Sequence, residues 1–259
     1  MSVIPNNTAE CLVSVIMPAY NAADYIEIAI RSVMAQTHSR WELLVIDDGS
    51  ADETREIVRR LAEEDSRIRP ICNEQNMGVA ETRNRGLSLC QGQFVALLDC
   101  DDWWHPEKLE KQLALAQQSG ADIVYCSYGI MDANGEKLCE DFLVPDATDY
   151  KKCLVQSVIS CSTALLSQEI AEKYRFSATY YHEDLVLWLE LLRDGYTARG
   201  AEEVLAKYRV AQGSRASNKL KSAIERWKIC RQCMKEPLFA SIGVLYRYGM
   251  LAIKKYRKV

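Results

Sequence analysis

Three aspartates, Asp99, Asp101 and Asp102, follow the apolar run at residues 94–98 within four positions. The run has the length and composition of a buried strand, and Pro106 opens a helical pattern soon after it. Asp99 and Asp101 would point the same way from an extended backbone, where their charges repel each other unless a cation lies between them. Mg²⁺ and Mn²⁺ bind carboxylates together with phosphate oxygens and water. The spacing is compatible with a metal and phosphate site, but for such a motif taken alone a solvated turn with one aspartate capping the following helix is the favoured interpretation.

Two further acidic pairs stand at the ends of predicted elements. Asp47 and Asp48 follow the strand pattern at residues 41–46, and Glu183 and Asp184 begin a strongly apolar helix pattern. The structural alternatives are a supported turn for the first pair and a favourable helix dipole for the second. In open parallel sheets, ligands bind at the carboxyl edge, where strand-end residues of this kind would meet.

Three segments of the chain resemble the motifs of the family 2 glycosyltransferases, in the same order and at about the same spacing. They are residues 13–21 (VSVIMPAYN), 45–50 (VIDDGS) and 98–102 (LDCDD). The resemblance covers about residues 11–210. It implies a GT-A fold and transfer of a sugar from a nucleoside diphosphate sugar to an acceptor, with inversion at the anomeric carbon.

The resemblance also implies a donor site. Its residues come from three strand ends and one helix, and are Pro18, Ala19, Tyr20, Asp48, Arg83, Asp99 and Asp101. Asp48 would hydrogen-bond the nucleotide base and Tyr20 would stack on it, while Arg83 would contact the donor phosphates or brace the acidic residues. Asp101 would hold Mg²⁺ or Mn²⁺ against the two phosphates, and Asp99 would contact the ribose or donor sugar and assist the metal.

The segment at residues 180–192 is similar to the family's Glu-Asp pair followed by an aromatic and apolar helix. This similarity implies that Asp184 is the catalytic base, which removes a proton from the acceptor hydroxyl. Glu183 or His182 would orient Asp184. A base of this kind has to lie close to the acceptor oxygen and to be partly desolvated.

The elements that would position these residues form an α/β fold, a GT-A mixed sheet flanked by helices with a helical C-terminal extension. Ser50 and Glu53 have the spacing of a capping box for the predicted helix at residues 53–64. Asn21 and Asp24 are candidate caps for the predicted helix that runs to about residue 36. Strands are expected at residues 12–17, 41–46, 68–72, 94–98, 122–128, 162–166 and 204–210, and helices at about 24–36, 53–64, 79–90, 107–118 and 149–155 and from 183. We assign residues 1–210 to the glycosyltransferase domain, with a nucleotide-sugar half at about 11–128 and an acceptor half at 129–210, and residues 211–259 to the extension.

Composition excludes several other classes. The 259 residues carry a net charge of −4 and are 48% hydrophobic, without a basic stripe of the kind that nucleic acid requires. The first fifteen residues hold no Lys or Arg, and no apolar run approaches the roughly 20 residues that span a bilayer. These features predict a cytoplasmic protein. Its ten scattered cysteines are expected to be reduced thiols.

The C-terminal segment 237–259 differs from the rest, because it holds five Lys and Arg residues and no acid. Five apolar residues fall near one face of a helix there: Leu238, Ile242, Leu245, Ile253 and Tyr256. An apolar face with a basic end predicts peripheral contact with an anionic membrane, on the cytoplasmic face of the inner membrane. Docking on the protein's own core or on a second subunit is the alternative, and an oligomer is compatible with the sequence.

Residues 208–228 resemble the form that this segment commonly takes in glycosyltransferases of bacterial surface-polysaccharide and lipopolysaccharide synthesis. The prediction is therefore an inverting, metal-dependent glycosyltransferase. It would move a hexose or N-acetylhexosamine from a UDP-sugar to a hydroxyl of a growing, lipid-linked bacterial cell-envelope glycan. The alternatives are a nucleotidyltransferase, which would be expected to have a glycine-rich phosphate loop near the N-terminus, and a catalytically silent subunit that binds a sugar nucleotide.

Overall fold

The computed structural model describes residues 10–210 and 219–256. In chain order the elements are β1 (Val13–Ala19), α1 (Ile26–Met34), β2 (Trp41–Asp47), α2 (Thr54–Glu64), β3 (Ile68–Cys72), α3 (Val79–Leu89), β4 (Phe94–Leu97), β5 (Trp103–Trp104), α4 (Lys108–Ser119), β6 (Ile123–Met131), β7 (Ala147–Thr148), α5 (Tyr150–Val155), a 3₁₀ turn (Cys161–Thr163), β8 (Leu165–Ser167), α6 (Gln168–Lys173), α7 (Glu183–Arg193), β9 (Ala198–Arg209), α8 (Lys219–Lys228), a π-helix (Ile229–Cys233) and α9 (Leu238–Tyr256). The predicted fold class is confirmed, since strands and helices alternate through the first half and build an α/β structure.

The strands form one mixed sheet in the order β3-β2-β1-β4-β8-β6-β9-β5, with β7 paired to β9. The first four strands of this order are parallel, and β8 runs antiparallel to both β4 and β6. Ala19 at the end of β1 lies opposite Asp47 of β2, and the backbone N–H of Asp48 donates to the carbonyl of Ala19 (2.8 Å). The strand ends that carry acidic residues therefore meet at one edge.

Helices cover both faces of the sheet, and a hydrophobic cluster fills each interface. Successive residues of β1 contribute to different clusters, as the two-residue period of a strand requires: Val15 and Met17 pack on one face and Ile16 on the other. Gly86 allows α3 to lie close against β1, because a Cβ at this position would be 2.5 Å from Cγ2 of Ile16. This close contact fixes the distance between α3 and the sheet.

The predicted capping of α1 and α2 is wrong. The N-cap residue is Tyr25 in α1 and Glu53 in α2, and neither side chain makes a capping hydrogen bond. The Ser50 hydroxyl instead accepts from the backbone N–H of Asn21 (2.9 Å), and the Asn21 side chain accepts from the N–H of Ala51 (2.9 Å). These residues link the loop after β1 to the loop after β2, which was not apparent from local spacing.

A single sheet includes strands from both predicted halves of the domain, and β6 spans their boundary at residues 128 and 129. The division into two halves and an extension remains a prediction. Residues 211–218, with which the extension was predicted to begin, lie outside the described residues.

Helix α9 exposes an apolar stripe that differs in part from the predicted face. Of the predicted residues, Leu238 and Ile242 are exposed and Leu245 is half-buried, while the side chains of Ile253 and Tyr256 lie outside the described part of the structure. Phe239 (86% exposed), Tyr246 and Met250 are exposed as well. Spacings of three and four residues place the exposed set on one side of the helix. Within the described chain, no helix is long and apolar enough to cross a membrane.

Candidate active site

A cleft of about 770 Å³ opens at the carboxyl edge of β1, β2 and β4, between α3 and α7. It brings together every residue that the sequence predicted for the site, from segments more than 160 positions apart. These residues are Pro18, Ala19, Tyr20, Asp48, Arg83, Asp99, Asp101, Glu183 and Asp184. Their roles remain predictions, but their common location follows from parallel strands that end at one edge.

Arg83 joins the two acidic groups of the cleft. This side chain on α3 is buried (4% exposed), and its guanidinium donates to Oδ1 of Asp99 (2.6 Å) and to Oε1 of Glu183 (2.8 Å). Burial opposes the charge, but the attraction of Asp99 and Glu183 outweighs it and raises the pKa of Arg83 further. The fork of Arg83 therefore connects the end of β4 with the start of α7, through ion pairs that span 16 and 100 positions of sequence.

Asp99 and Asp101 are electrostatically distinct, although both lie directly after β4. Asp99 is paired with Arg83, whereas no Lys or Arg of the described residues forms an ion pair with Asp101. Burial and the nearby charge of Asp99 raise the pKa of Asp101 to about 6. Asp101 is thus a carboxylate in a partly desolvated position, next to a second carboxylate and facing the cleft.

This donor set fits the implied divalent metal. Mg²⁺ and Mn²⁺ in such sites take one or two carboxylates and complete their shells with phosphate oxygens and water. Asp101 offers two oxygens, and a cation there would relieve the repulsion from Asp99. No group of three or more His, Cys, Asp or Glu side chains in the described part of the chain forms a metal site by itself. Phosphate oxygens of a bound donor and water would complete the coordination of such an ion.

Asp102, which had no predicted role, is the buried support of this acidic segment. Its carboxylate accepts from the Ser162 hydroxyl and from the backbone N–H of Arg209 (2.9 Å). The Ser162 hydroxyl in turn accepts from the N–H of Asp99 (3.0 Å), and the carbonyl of Ser162 accepts from Nε1 of Trp104 (2.7 Å). These bonds join the end of β4 to the 3₁₀ turn and β9. In the sequence, the only signal for a role of Asp102 was its place beside Asp99 and Asp101.

Asp48 holds the loop that precedes α3. Its Oδ1 accepts from Nδ2 of Asn73 (2.7 Å) and from the N–H of Met77 (2.9 Å), and its Oδ2 accepts from the N–H of Gly78 (2.8 Å). Burial would raise the pKa of Asp48, but these hydrogen bonds lower it below its usual range. Tyr20, 52% exposed, lies at the edge of the same cleft. The site thus contains an ionised acceptor and an exposed aromatic ring.

Glu183 and Asp184 form the opposite wall, at the N-terminus of α7. Glu183 is buried and paired with Arg83, whereas no ion pair to Asp184 occurs among the described residues. Asp184 accepts from the N–H of Leu185 (2.8 Å), but burial and the charge of Glu183 raise its pKa to about 6. A carboxylate with this pKa is largely ionised at neutral pH and is a stronger base than an exposed aspartate.

The sheet order, the flanking helices and the cleft at the carboxyl edge are those of a GT-A glycosyltransferase, the predicted class. Among solved structures, the mannosyltransferase PcManGT from Pyrobaculum calidifontis, in complex with GDP-Man and Mn²⁺, shares this fold. Its TM-score is 0.71 at 17% sequence identity, and the match covers 95% of this chain and 72% of that one.

The sequence profile described as "Glycosyl transferase family 2" matches residues 14–175, and the chain belongs to this family. It is 36% identical to the putative teichuronic acid biosynthesis glycosyltransferase TuaG of Bacillus subtilis, over 94% of this chain and 97% of TuaG. It is 37% identical to WfgD of Escherichia coli, over 95% of each chain. The name of WfgD is UDP-Glc:alpha-D-GlcNAc-diphosphoundecaprenol beta-1,3-glucosyltransferase. The predicted family is confirmed.

Proposed function

We propose that this protein transfers a hexose or N-acetylhexosamine from a UDP-sugar to a hydroxyl of a growing, lipid-linked bacterial cell-envelope glycan, with inversion. The observation that carries the proposal is a partly desolvated Asp184 in the same cleft as the strand-end residues Asp48, Asp99 and Asp101. The donor named for WfgD supports a UDP-sugar, and the products named for WfgD and TuaG support a cell-envelope glycan.

In this reaction Asp184 accepts the proton of the acceptor hydroxyl. The hydroxyl oxygen forms a bond to C1 of the donor sugar, while the bond from C1 to the phosphate oxygen breaks and UDP leaves with the electron pair. Attack opposite the leaving group inverts C1 without a covalent enzyme intermediate. Glu183 is paired with Arg83, whereas Asp184 forms no ion pair with any described residue, so Asp184 is the carboxylate that takes up the proton.

The donor is oriented by the residues at the strand ends. Asp48, whose Oδ2 accepts from the N–H of Gly78, would accept from the ring N–H of uracil, against which Tyr20 would stack. Arg83 holds Asp99 in place for the ribose or donor sugar. Asp101, with Asp99 beside it, would hold Mg²⁺ or Mn²⁺ against the phosphates. When bound, this metal would offset the negative charge that develops on the leaving UDP.

A nucleotide-binding panel tests the donor and the metal together. Thermal unfolding is measured with UDP, GDP, dTDP and CMP, each with Mn²⁺, Mg²⁺ or EDTA. We expect UDP with metal to raise the unfolding temperature by roughly 5–10 °C at a hundredfold excess over Kd. Asp101→Ala should abolish the increase, and the exposed Asp146→Ala should retain it. If UDP with metal raised the unfolding temperature of Asp101→Ala as much as that of wild type, the metal assignment would be contradicted. If GDP bound and UDP did not, the choice of donor would be contradicted.

Turnover separates a transferase from a silent subunit. We expect wild type to hydrolyse its UDP-sugar slowly without an acceptor and to transfer the sugar faster when an acceptor is added. If the protein binds UDP but neither hydrolyses nor transfers any UDP-sugar, the silent subunit is the correct description.

Peripheral contact with the cytoplasmic face of the membrane through residues 237–259 completes the proposal. The exposed stripe on α9 supports it, together with the five basic residues of this segment. Wild type should float with vesicles of phosphatidylcholine and phosphatidylglycerol, and less with phosphatidylcholine alone. Ile242→Glu should reduce flotation, whereas Leu143→Glu, at an exposed leucine outside α9, should not. Equal flotation of both variants would refute contact through α9.

A further inference from the structure

A second cleft of about 530 Å³ lies beside the donor cleft. The two clefts share four lining residues: Gly78, Val79, Tyr181 and Glu183. The far wall of the second cleft comes from α8 and the π-helix, through Glu225, Lys228 and Gln232. We call this cleft the α8 groove. Because the two clefts share Glu183, the α8 groove adjoins the donor cleft, which Asp184 lines.

The lining of the α8 groove suits a saccharide. Tyr180 and Tyr181 supply aromatic rings, while Glu225, Lys228 and Gln232 supply both donors and acceptors of hydrogen bonds. Sugar hydroxyls both donate and accept, so they require such a mixed set. The volume also lies within the range of small-molecule sites.

The polar wall of the α8 groove is held in place. Nζ of Lys228 lies 2.8 Å from Oε1 of Glu225, and this ammonium has further N–H donors for a ligand. The carboxylate of Glu225 also accepts from the backbone N–H of Tyr181, two positions before Glu183. Helix α8 is therefore attached to the segment that carries the catalytic acids.

We infer that the α8 groove binds sugar units of the acceptor and delivers their hydroxyl to Asp184. Helix α8 of the C-terminal extension is accordingly part of the acceptor site. This inference rests on the proposed function and adds to it the location of the acceptor and the residues that recognise it. Lys228 and Gln232 are then specificity-determining residues for the acceptor.

Ala178 allows the α8 groove to be blocked with little risk to folding, because this residue is exposed and lines the groove. Ala178→Trp would fill the groove, and Ala133→Trp, at an exposed alanine that lines neither cleft, is the matched control. Lys228→Ala removes one hydrogen-bonding group, with the exposed Lys152→Ala on α5 as its control. The acceptors are alkyl glycosides of Glc, GlcNAc, Gal and GalNAc, and α-GlcNAc diphosphate with an undecyl chain. The donor is the UDP-sugar that wild type hydrolyses.

We expect Ala178→Trp to lower kcat/KM for the acceptor at least tenfold, with the donor KM within twofold of wild type. Lys228→Ala should raise the acceptor KM about fivefold to tenfold, as expected for one lost hydrogen bond. Both controls should match wild type. Transition temperatures of all variants should stay within 3 °C of wild type, and a larger fall in Ala178→Trp would leave Lys228→Ala to decide.

Three results would overturn the inference: acceptor kinetics within twofold of wild type in Ala178→Trp and Lys228→Ala, equal changes in donor and acceptor KM, or donor hydrolysis by wild type without transfer to any of these acceptors. Failure of wild type to bind or hydrolyse any UDP-sugar is a different result. It would overturn the proposed function itself.

Discussion

Replacement of Arg83 by methionine tests the electrostatic link between the two walls of the cleft. Methionine preserves much of the buried volume but leaves Asp99 and Glu183 without their cation. Removal of one partner from a buried ion pair costs about 3–5 kcal/mol. The side chain of Asp99 is 29% exposed and can regain water, so the lower limit of about 3 kcal/mol is expected. For a protein of this size, the unfolding temperature should fall by roughly 6–12 °C.

The same variant should change the pH dependence of turnover. Burial raises the pKa of Asp184 to about 6, and Arg83 opposes this increase. Without Arg83 the pKa of Asp184 rises further, so the acidic limb of the kcat profile should move to higher pH. Urea unfolding at pH 7.5 and kcat between pH 5 and 9 measure the two effects. Arg83→Lys should be intermediate in stability, because an ammonium lacks the fork that reaches both carboxylates.

Arg59→Met is the matched control, since Arg59 on α2 is exposed and outside the cleft. Its unfolding free energy should remain within about 0.5 kcal/mol of wild type. If Arg83→Met lost less than about 1 kcal/mol and kept the acidic limb of wild type, the reasoning from the two ion pairs would be refuted.

Three other changes give separate outcomes. Asp184→Asn should lower kcat at least about a hundredfold, while UDP binding measured by calorimetry should be unchanged. The kcat of wild type at saturating metal should fall about tenfold per pH unit below pH 6, where Asp184 is protonated. Near-normal turnover of Asp184→Asn would exclude Asp184 as the base. Ser162→Ala should cost about 2–3 kcal/mol in urea unfolding, because Asp102 and the N–H of Asp99 each lose a partner, and an unchanged midpoint would contradict this support. Lys108 is fully buried and burial lowers its pKa to about 8, so the unfolded chain binds more protons and stability should rise from about pH 8 to 10.5. Lys108→Met should remove that rise, and a variant with the pH dependence of wild type would refute the assignment of this rise to Lys108.

The sequence predicted the parts of the site that depend on local pattern. Asp48 and Asp99 follow apolar runs, and parallel strands bring such positions to one edge regardless of the loops between them. Asp184 was predicted through the resemblance of its segment to a known family, and the structure places it in the same cleft. Each of these predictions depends on short segments, where the residue type and its immediate neighbours are informative.

Contacts between distant segments could not be predicted in this way. The spacing of Ser50 and Glu53 satisfies a capping box, but the Ser50 hydroxyl is used by Asn21 from another loop. Asp102 and Ser162 are 60 positions apart, and a serine after a loop carries no signal for a buried aspartate. The tertiary arrangement determines such pairs, because the local sequence offers several hydrogen-bonding partners that are equally plausible.

Glu183 and Asp184 are adjacent acids at one helix terminus, yet their surroundings differ in a way that follows from α3. The guanidinium of Arg83 forms an ion pair with Glu183, whereas Asp184 is buried beside the charge of Glu183 and has no ion pair from the described residues. The same guanidinium is bound to Asp99 on the donor side. In the proposed donor complex, a change in the position or charge of Asp99 would therefore act on Arg83 and, through Glu183, on the basicity of Asp184. Substitution of Asp99 should accordingly alter the acidic limb of turnover as well as donor affinity, which separates this linkage from a purely structural ion pair.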